Sequence, residues 1–524
     1  MKKLVSVLVV IITVLMVFAG CSSNSPGGGS GNDPGNSGSN DGTDNERPKL
    51  RIGQTTAGQQ YIEASPDINQ DKYVKKLREL SGIDITIDPL IPWVDYQQKM
   101  NLLFARGDLP DLLQTQGINM MEVAPAVDRG VLQPLNDLIE KHGPNLKKNI
   151  PEEAWNSPKV SKDGKIYGIP QIRFVRNDNV VYVRKDWLDA LGLEAPRTVE
   201  EYIDMLRAFK EGDPNGNGQP DEIPISGRAK FAYVDTFFAA YDVIPGAWKF
   251  ENGQLIPNFI RPNMKEALKV YTQLYLEQLL DNEFMVQQGK DWDAKIKGQG
   301  NVGMWQHAAT YPDKWLMEVR TNTPSAEIAI LPAPAGPDGK GGASLGSMVG
   351  MVYVIPASNQ NPEAAIRFLD WMYSEEAERF VTYGIEGENY TVENGKINYK
   401  YPETQNEIYE EQMYNIFLDY VGQRYLANTE FMRGRNHGDL IVSAMEIANN
   451  EGRQNDGLDM PAMPTLLARP ELAYDGLWLE FAAKVITGEQ SVEEFERFVA
   501  DWKKRGGDQL IQEATEWYKQ TYLE

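Results

Sequence analysis

Beyond residue 46 the apolar positions switch between two spacings, one that buries a strand and one that buries a helix face. "LRIGQTT" is a short apolar run, and in the following "DKYVKKLREL" Tyr73, Val74, Leu77 and Leu80 share one face of a helix that Ser81-Gly82 ends. In "IDITIDPL" the spacing drops to two, with Ile83, Ile85 and Ile87 alternating as in a half-buried strand. "DYQQKMNLLFARGD" and "LPDLLQ" continue the series, so 48–173 predicts a βα lobe around a largely parallel sheet. A second series starts at "NVVYVRKDWLDALG", a strand running into a helix. "TVEEYIDMLRAFKEG" then sets Thr198 and Glu201 in capping-box spacing ahead of a stripe of Val199, Tyr202, Ile203, Leu206 and Phe209. "NVGMWQ", "EIAILP" and "MVGMVYVIP" read as strands, and "NPEAAIRFLDWMYSEEAERF" as a helix with Asn361 as cap and Pro362 at its first position. Past Glu407 the pattern is mostly helical and closes on "SVEEFERFVADWKKRGG", where Ser491 and Glu494 have capping-box spacing; no repeat of fixed period occurs.

Length and charge add bounds. A chain of 524 residues exceeds what one hydrophobic core usually serves, and 41% apolar residues supply a globular interior. The net charge of −23 argues against a nucleic-acid partner. At the N-terminus Lys2 and Lys3 precede "LVSVLVVIITVLMVFAG", which is shorter than the ~20 residues of a membrane span and reads as an export signal over 1–20. Cys21 is the sole cysteine, which excludes a disulfide within the chain. The "FAGC" ending at Cys21 resembles the lipobox of bacterial lipoproteins, with Phe18 where leucine is usual, and implies lipid (palmitate) on the thiol. Residues 21–46, nearly all Ser, Gly, Asn, Asp and Pro after the cysteine, cannot bury enough apolar surface to order and read as a tether reaching ~25–30 Å. The expected location is therefore the extracytoplasmic face of the cell membrane. Loss of residues 1–20, with two lysines and no acid, takes the charge of −23 to −25.

One loop concentrates oxygen donors. In "GDPNGNGQPDEIPISG", Asp213, Asn215, Asn217, Gln219 and Asp221 fall at positions 1, 3, 5, 7 and 9 of an EF-hand-like calcium loop, with Gly218 allowing the sharp turn. Position 12 is Pro224, and "IPIS" follows where an EF-hand has its second helix, so a full EF-hand is excluded. Two readings fit these residues, a solvated Gly/Asn/Asp turn and a bound cation.

"IYGIPQIR" running into "NVVYVRKDWLDALGL", the "TVEEY" helix, the Asp/Asn loop and "NPEAAIRFLDWMYSEEAERFVTYGIEGENY" together resemble bacterial extracellular solute-binding family 1 lipoproteins, in particular the alginate-oligosaccharide-binding type. The resemblance spans the mature chain. It implies an α/β, type II periplasmic-binding-protein-like fold whose two lobes, each a mostly parallel sheet flanked by helices, are joined by crossing strands, with a helical C-terminal extension. The expected division is 47–172 with 331–376 for the first lobe and 173–330 with 377–524 for the second. The resemblance also implies an oligosaccharide ligand held between the lobes, delivery to ABC-importer permease subunits, a monomer, and calcium held by Asp213, Asn215, Asn217, Asp221, Glu222 and the Gln219 carbonyl. With one loop and no exiting helix, such a calcium ion would clamp the structure rather than act as a sensor.

Sugars offer C–H faces for stacking and hydroxyls for hydrogen bonds, so aromatic and polar residues at strand exits are the candidates. Among eleven tryptophans, Trp93, Trp155, Trp248 and Trp305 lie near loops or strand ends, whereas Trp187, Trp371, Trp502 and Trp517 sit in helical patterns. Trp305, beside Gln306 and His307, is the foremost candidate, since the resemblance also puts a sugar-facing aromatic there. Trp93, Trp248, Tyr167 at the first crossing, and Tyr383 to Glu386 near the last complete the expected ligand set, each with core burial as the competing role. Arg173 fits either a uronate or surface carboxylates. Enzyme motifs fail on context: "GASLG" lacks the strand before and helix after a nucleophile elbow, and "GQGNVG" runs into a strand. The three histidines have no metal-site spacing, so no catalytic residue is assigned. A glycoside hydrolase with a carboxylate pair is the alternative to a receptor, and a surface adhesin a third class. The ligand's charge stays open, with neutral oligomers favoured unless the cleft gathers Arg and Lys.

Overall fold

A computed structural model describes residues 47–177 and 179–523. The export signal, Cys21 and the tether lie outside the described residues. The strands that carry the architecture are β1 (Lys49–Thr55), β2 (Asp84–Ile91), β3 (Leu112–Thr115), β4 (Gly168–Ile172), β5 (Asn179–Arg184), β6 (Ile223–Ile225), β7 (Val302–Ala308), β8 (Ile328–Leu331) and β9 (Val349–Val354). They form a five-stranded sheet ordered β2-β1-β3-β9-β4 and a four-stranded sheet ordered β8-β5-β7-β6.

In each sheet a single strand opposes the rest. β9 is antiparallel to both β3 and β4, and β5 is antiparallel to both β8 and β7, while β1 pairs in parallel with β2 and β3, and β7 with β6. These two are the first strands the chain makes on entering each lobe after a crossing. β5 therefore starts at the crossing and runs away from it, which makes β6, β7 and β8 end near it. β4 ends there too, and β1–β3 share its direction. Both lobes consequently aim strand carboxyl ends at the junction, where ligands of open α/β sheets bind.

Local sequence explains the elements. The helix α1 (Lys72–Ser81) buries Tyr73, Val74 and Leu77, starts on the Asp71 side chain and ends at Gly82 in left-handed conformation. Full burial of each such side chain contributes roughly 1.5–3 kcal/mol. In α2 (Val199–Glu211) the Thr198–Glu201 capping box forms and the predicted stripe is buried. The second box does not form, because residues 492–494 make a 3-10 turn and Ser491 Oγ accepts from Glu493 N instead. In α3 (Pro362–Trp371) Asn361 caps the backbone N–H of Ala364.

The cores correct one boundary. Ala377, Phe380, Val381, Met413, Phe417 and Val421 pack into the first lobe's core with Ile52, Leu112 and Val352, so 377–381 and 413–421 do not belong with the second lobe as the sequence division had it, whereas Tyr383, Tyr399 and Tyr401 between them pack on the second lobe's side. These side chains have helical spacing that fits either lobe, and only contact decides between them. The chain then crosses a third time, because Leu426 and Phe431 lie in a core with Tyr182 and Trp305. Residues 463–511 join the remaining core around α2.

The crossings are stitched together. Ile172 N donates to Val421 O at 2.9 Å and Arg173 N to Met348 O at 2.8 Å. Gly422 allows this approach with φ of 134°, and a Cβ there would lie 2.2 Å from Ile172 O. Gly422→Ala is expected to cost about 2–4 kcal/mol, since both backbone strain and overlap with a backbone atom must be relieved. Guanidinium unfolding checks this, and Gly387→Ala, at a left-handed glycine in open space, is the comparison that isolates the overlap.

Candidate functional site

A cavity of about 280 Å³ opens at the carboxyl ends of the first sheet. Its walls are Gln54 and Thr55 closing β1, Gln114 in β3, Gln171 to Arg173 closing β4, Gly350 and Met351, segment 415–417, Gly422 and Gln423, with Trp93 at the mouth. An amide and hydroxyl network fixes the polar walls. Gln114 Oε1 accepts from Thr55 N at 3.1 Å, Gln114 Nε2 donates to Tyr353 Oη at 3.1 Å, and Gln171 Nε2 donates to Asp419 O at 3.0 Å. Tyr353 Oη in turn donates to Gln54 Oε1 at 3.4 Å. Oriented amides of this kind present donors and acceptors that match sugar hydroxyls. Trp93 is 47% exposed and lies tilted against Tyr96, with ring centroids 5.6 Å apart.

The second lobe presents an aromatic column after β6 and at the end of β7. Tyr233 stacks on Trp292 at 5.2 Å and on His307 at 4.9 Å, both with an interplanar angle of 17°. The Arg228 guanidinium lies 4.5 Å from the Trp292 ring centroid and 4.9 Å from that of Tyr233. Burial, followed by Arg228 and Lys297, presses His307 down to about 4, so the imidazole is neutral at physiological pH. Lys230, Phe231 and Tyr233 hold left-handed backbone, with φ of 61°, 62° and 62°. Such strain persists only where surrounding structure enforces it, and it gathers at functional sites.

Of the residues expected from sequence, Trp93 and Arg173 line the cavity. Trp305 does not: it is fully buried, pairs in register with Tyr182, and stacks on that ring at 5.6 Å. The reason is its position inside a strand flanked on both sides by neighbours and covered by Trp315, at 5.7 Å. Gln306 is likewise buried, its side-chain oxygen accepting from Thr236 N at 3.0 Å. Trp248 packs against the second lobe's core and Tyr167 against the first. Tyr383 accepts from Asn428 Nδ2 at 2.9 Å and packs edge-on to Phe431 at 5.4 Å. Glu386 is exposed and borders a separate cavity with Lys76 and Arg379. The sequence reading missed the glutamines. Their signal was a polar residue closing each apolar strand, in "GQTT", "LLQT" and "IPQIR".

The loop after α2 turns its oxygens inward. Asp213 accepts from Asn217 N at 3.1 Å and Gly218 N at 3.0 Å, and Asn217 Oδ1 accepts from Gln219 N at 2.7 Å. Asn215 Oδ1 accepts from Asn217 N at 2.9 Å, and Asp221 Oδ1 accepts from the Asn217 amide at 3.0 Å. Glu222 Oε1 is buried without a hydrogen-bond partner, and burial, with Asp221 and Asp213 nearby, raises its carboxyl pKa. Among the described residues no three His, Cys, Asp or Glu side chains cluster as for a metal. The loop's donor set differs in that it relies on amides and a carbonyl alongside carboxylates, the chemistry of a hard cation.

Two lobes of mixed sheets, linked by three crossings and directing strand carboxyl ends at their junction, define a solute receptor of the type II periplasmic-binding kind. The chain belongs to the bacterial extracellular solute-binding protein family, which matches residues 68–379. It is 26% identical over 464 residues to the polygalacturonan/rhamnogalacturonan-binding protein YtcQ of Bacillus subtilis, covering 86% of this chain and 89% of that one. Among solved structures, the S. pneumoniae ABC-transporter substrate-binding protein FusA in complex with kestose superposes with a TM-score of 0.64 at 21% identity, covering 90% of this chain and 99% of that one. FusA has also been solved as an EF-hand mutant with fructo-nystose. The alginate-binding protein AlgQ2 without calcium ion superposes with a TM-score of 0.62 at 19% identity, covering 91% of this chain and 98% of that one. A glycoside hydrolase finds no support: the family is one of binding proteins, and among the described residues no Asp or Glu lines the cavity. A hydrolase needs two carboxyl groups there, about 5–9.5 Å apart.

Proposed function

We propose that the protein is the substrate-binding lipoprotein of an ABC sugar importer, which captures an oligosaccharide between its lobes and hands it unaltered to the permease. The observation that carries this reading is the first-lobe cavity, where strand-end glutamines and the half-exposed Trp93 combine hydroxyl recognition with a stacking surface. The Arg228–Tyr233–His307 face supplies the opposing jaw. A ligand touching both jaws favours the closed arrangement by its differential affinity, with the three crossings as hinge. Lipid on Cys21 and the tether after it would hold the body at the extracytoplasmic surface, where it works as a monomer.

The Asp/Asn loop holds calcium in this reading. The residues fit the ion, since Glu222 brings an orphaned buried oxygen and Asp213 and Asp221 bring negative charge whose mutual repulsion a dication would cancel. Asp213, Asn215, Asn217, Asp221, Glu222 and the Gln219 carbonyl would be its ligands. The ion supplies charge neutralisation to a surface loop and takes no part in sugar binding.

A glycan-panel melt, with scattering on the best ligand, tests the function. A bound oligosaccharide is expected to raise the melting temperature and reduce the radius of gyration, with no product formed. Trp93→Ala is expected to weaken binding by roughly tenfold while changing stability by less than about 0.5 kcal/mol. Turnover of the glycan, or binding without compaction, would overturn the receptor reading.

A further inference from the structure

Beside the second crossing, a turn of the second lobe reaches over to the first. Residues 455–459 are fastened to the hairpin 248–257: Asn455 Oδ1 accepts from Trp248 N at 2.9 Å, Asp456 Oδ2 accepts from Phe250 N at 2.8 Å, and a Cβ on Gly457 would lie 2.7 Å from the Cβ of Trp248. The turn therefore moves with the second lobe. Its last residue bonds the other way, because the Asp459 carbonyl accepts from Asn119 Nδ2 at 2.7 Å, while its carboxylate accepts from Ser347 Oγ at 2.7 Å and faces Lys159 Nζ at 3.8 Å. Asn119 and Lys159 belong to the first lobe, whose core holds their neighbours Ile118 and Val160. Ser347 stands at the second crossing, just before β9.

This contact is incomplete in three respects. Asp459 holds left-handed backbone, with φ of 62°. Asn119 Oδ1 is buried without a hydrogen-bond partner. Burial drives the Lys159 ammonium below its usual range, and the opposing pull of Asp459 comes from 3.8 Å, too far for a hydrogen bond. These costs work against the two short hydrogen bonds, so the contact lies near balance and suits a joint that forms and breaks. Its position matters as well. Asn119 follows the carboxyl end of β3, where the cleft opens, so the turn spans the cleft's edge. None of Asn119, Lys159, Ser347 and Asp459 lines the 280 Å³ cavity.

We propose, resting on the lobe closure described above, that the 455–459 turn is a latch across the edge of the cleft, whose contacts with Asn119, Lys159 and Ser347 favour the closed arrangement without touching the ligand. A contact made in the closed state and lost in the open one shifts that equilibrium by its own free energy, and apparent affinity follows the population of the closed state.

Neutron scattering on the full chain, in contrast-matched detergent with calcium present, tests the latch with no ligand added. Asp459→Gly removes the carboxylate and relieves the left-handed backbone, so it should leave the melting temperature undiminished and yet enlarge the radius of gyration. Asn119→Ala should enlarge it too, and the double variant should add little, since a latch opened once cannot open again. Asp163→Gly, at another left-handed aspartate (φ of 51°) in an exposed hairpin turn, is the control and should change nothing. Titrations with fructo-, galacto- and galacturono-oligosaccharides should then show the tightest of them weakened about three- to tenfold in Asp459→Gly. An unchanged or smaller radius in both latch variants, while the wild type still compacts on a bound glycan, overturns the latch and leaves the receptor standing. Enlarged variants beside a wild type that binds no glycan would uphold the latch and overturn the oligosaccharide reading.

Discussion

Trp305→Ala is expected to remove about 3–5 kcal/mol of folding stability, the cost of emptying a buried indole site in a core that relaxes only partly. The ring is fully buried, stacked on Tyr182 at 5.6 Å and tilted against Trp315 at 5.7 Å. Its Nε1 has no hydrogen-bond partner, so Trp305→Phe gives up area but also a buried orphan donor, and should cost far less. Equilibrium unfolding of both variants, beside sugar titrations of Trp305→Phe, decides the role of this residue. A packing tryptophan gives a large loss for Ala and near-normal affinity for Phe. Full stability of Trp305→Ala with lost affinity would return the residue to the ligand site.

Removal of the proposed calcium ion is expected to be the second large effect. An ion that binds only the native loop stabilises by RT ln(1 + [L]/Kd), about 2.7 kcal/mol at a hundredfold excess over Kd. Without it, Asp213, Asp221 and Glu222 repel one another around an unpartnered oxygen of Glu222. Calorimetric melts with calcium and with a chelator should differ clearly, and Asp213→Ala should abolish the difference. The proposed clamp role further predicts that sugar affinity below the melt is the same in both conditions. Coincident melts would reduce the loop to the solvated turn that its composition equally allows.

Two of the cavity's residues, Trp93 and Arg173, were legible in the sequence, and the remaining differences share a cause. Trp93 and Arg173 stood out because "LIPWVDY" and "IPQIR" place them just beyond apolar runs, where strands exit toward solvent. Trp305 stands near the end of "NVGMWQ", read as a short strand; the strand continues to Ala308, and those two further residues carry the indole inside. A boundary error of that size is enough to exchange a ligand contact for a core contact. Gln54, Gln114 and Gln171 were overlooked because an isolated glutamine carries no pattern; three become a site only when β1, β3 and β4 are adjacent in one sheet. The Tyr233–Trp292–His307 column unites segments 59 and 15 residues apart, with no local spacing to reveal it.

By itself the chain settled what depends on neighbours in sequence. Period-two and helical spacing set the strands and helices, Thr198 with Glu201 set a helix start, and the alternating oxygens of 213–222 set a tight donor loop, because backbone hydrogen bonding and side-chain direction act over a few residues. Tertiary structure alone decided that 377–381 and 413–421 join the first lobe's core, which indoles are buried, and that no Asp or Glu among the described residues lines the cavity. Those outcomes follow from packing and charge between segments far apart along the chain, and such distances are fixed only when the sheets close around their cores.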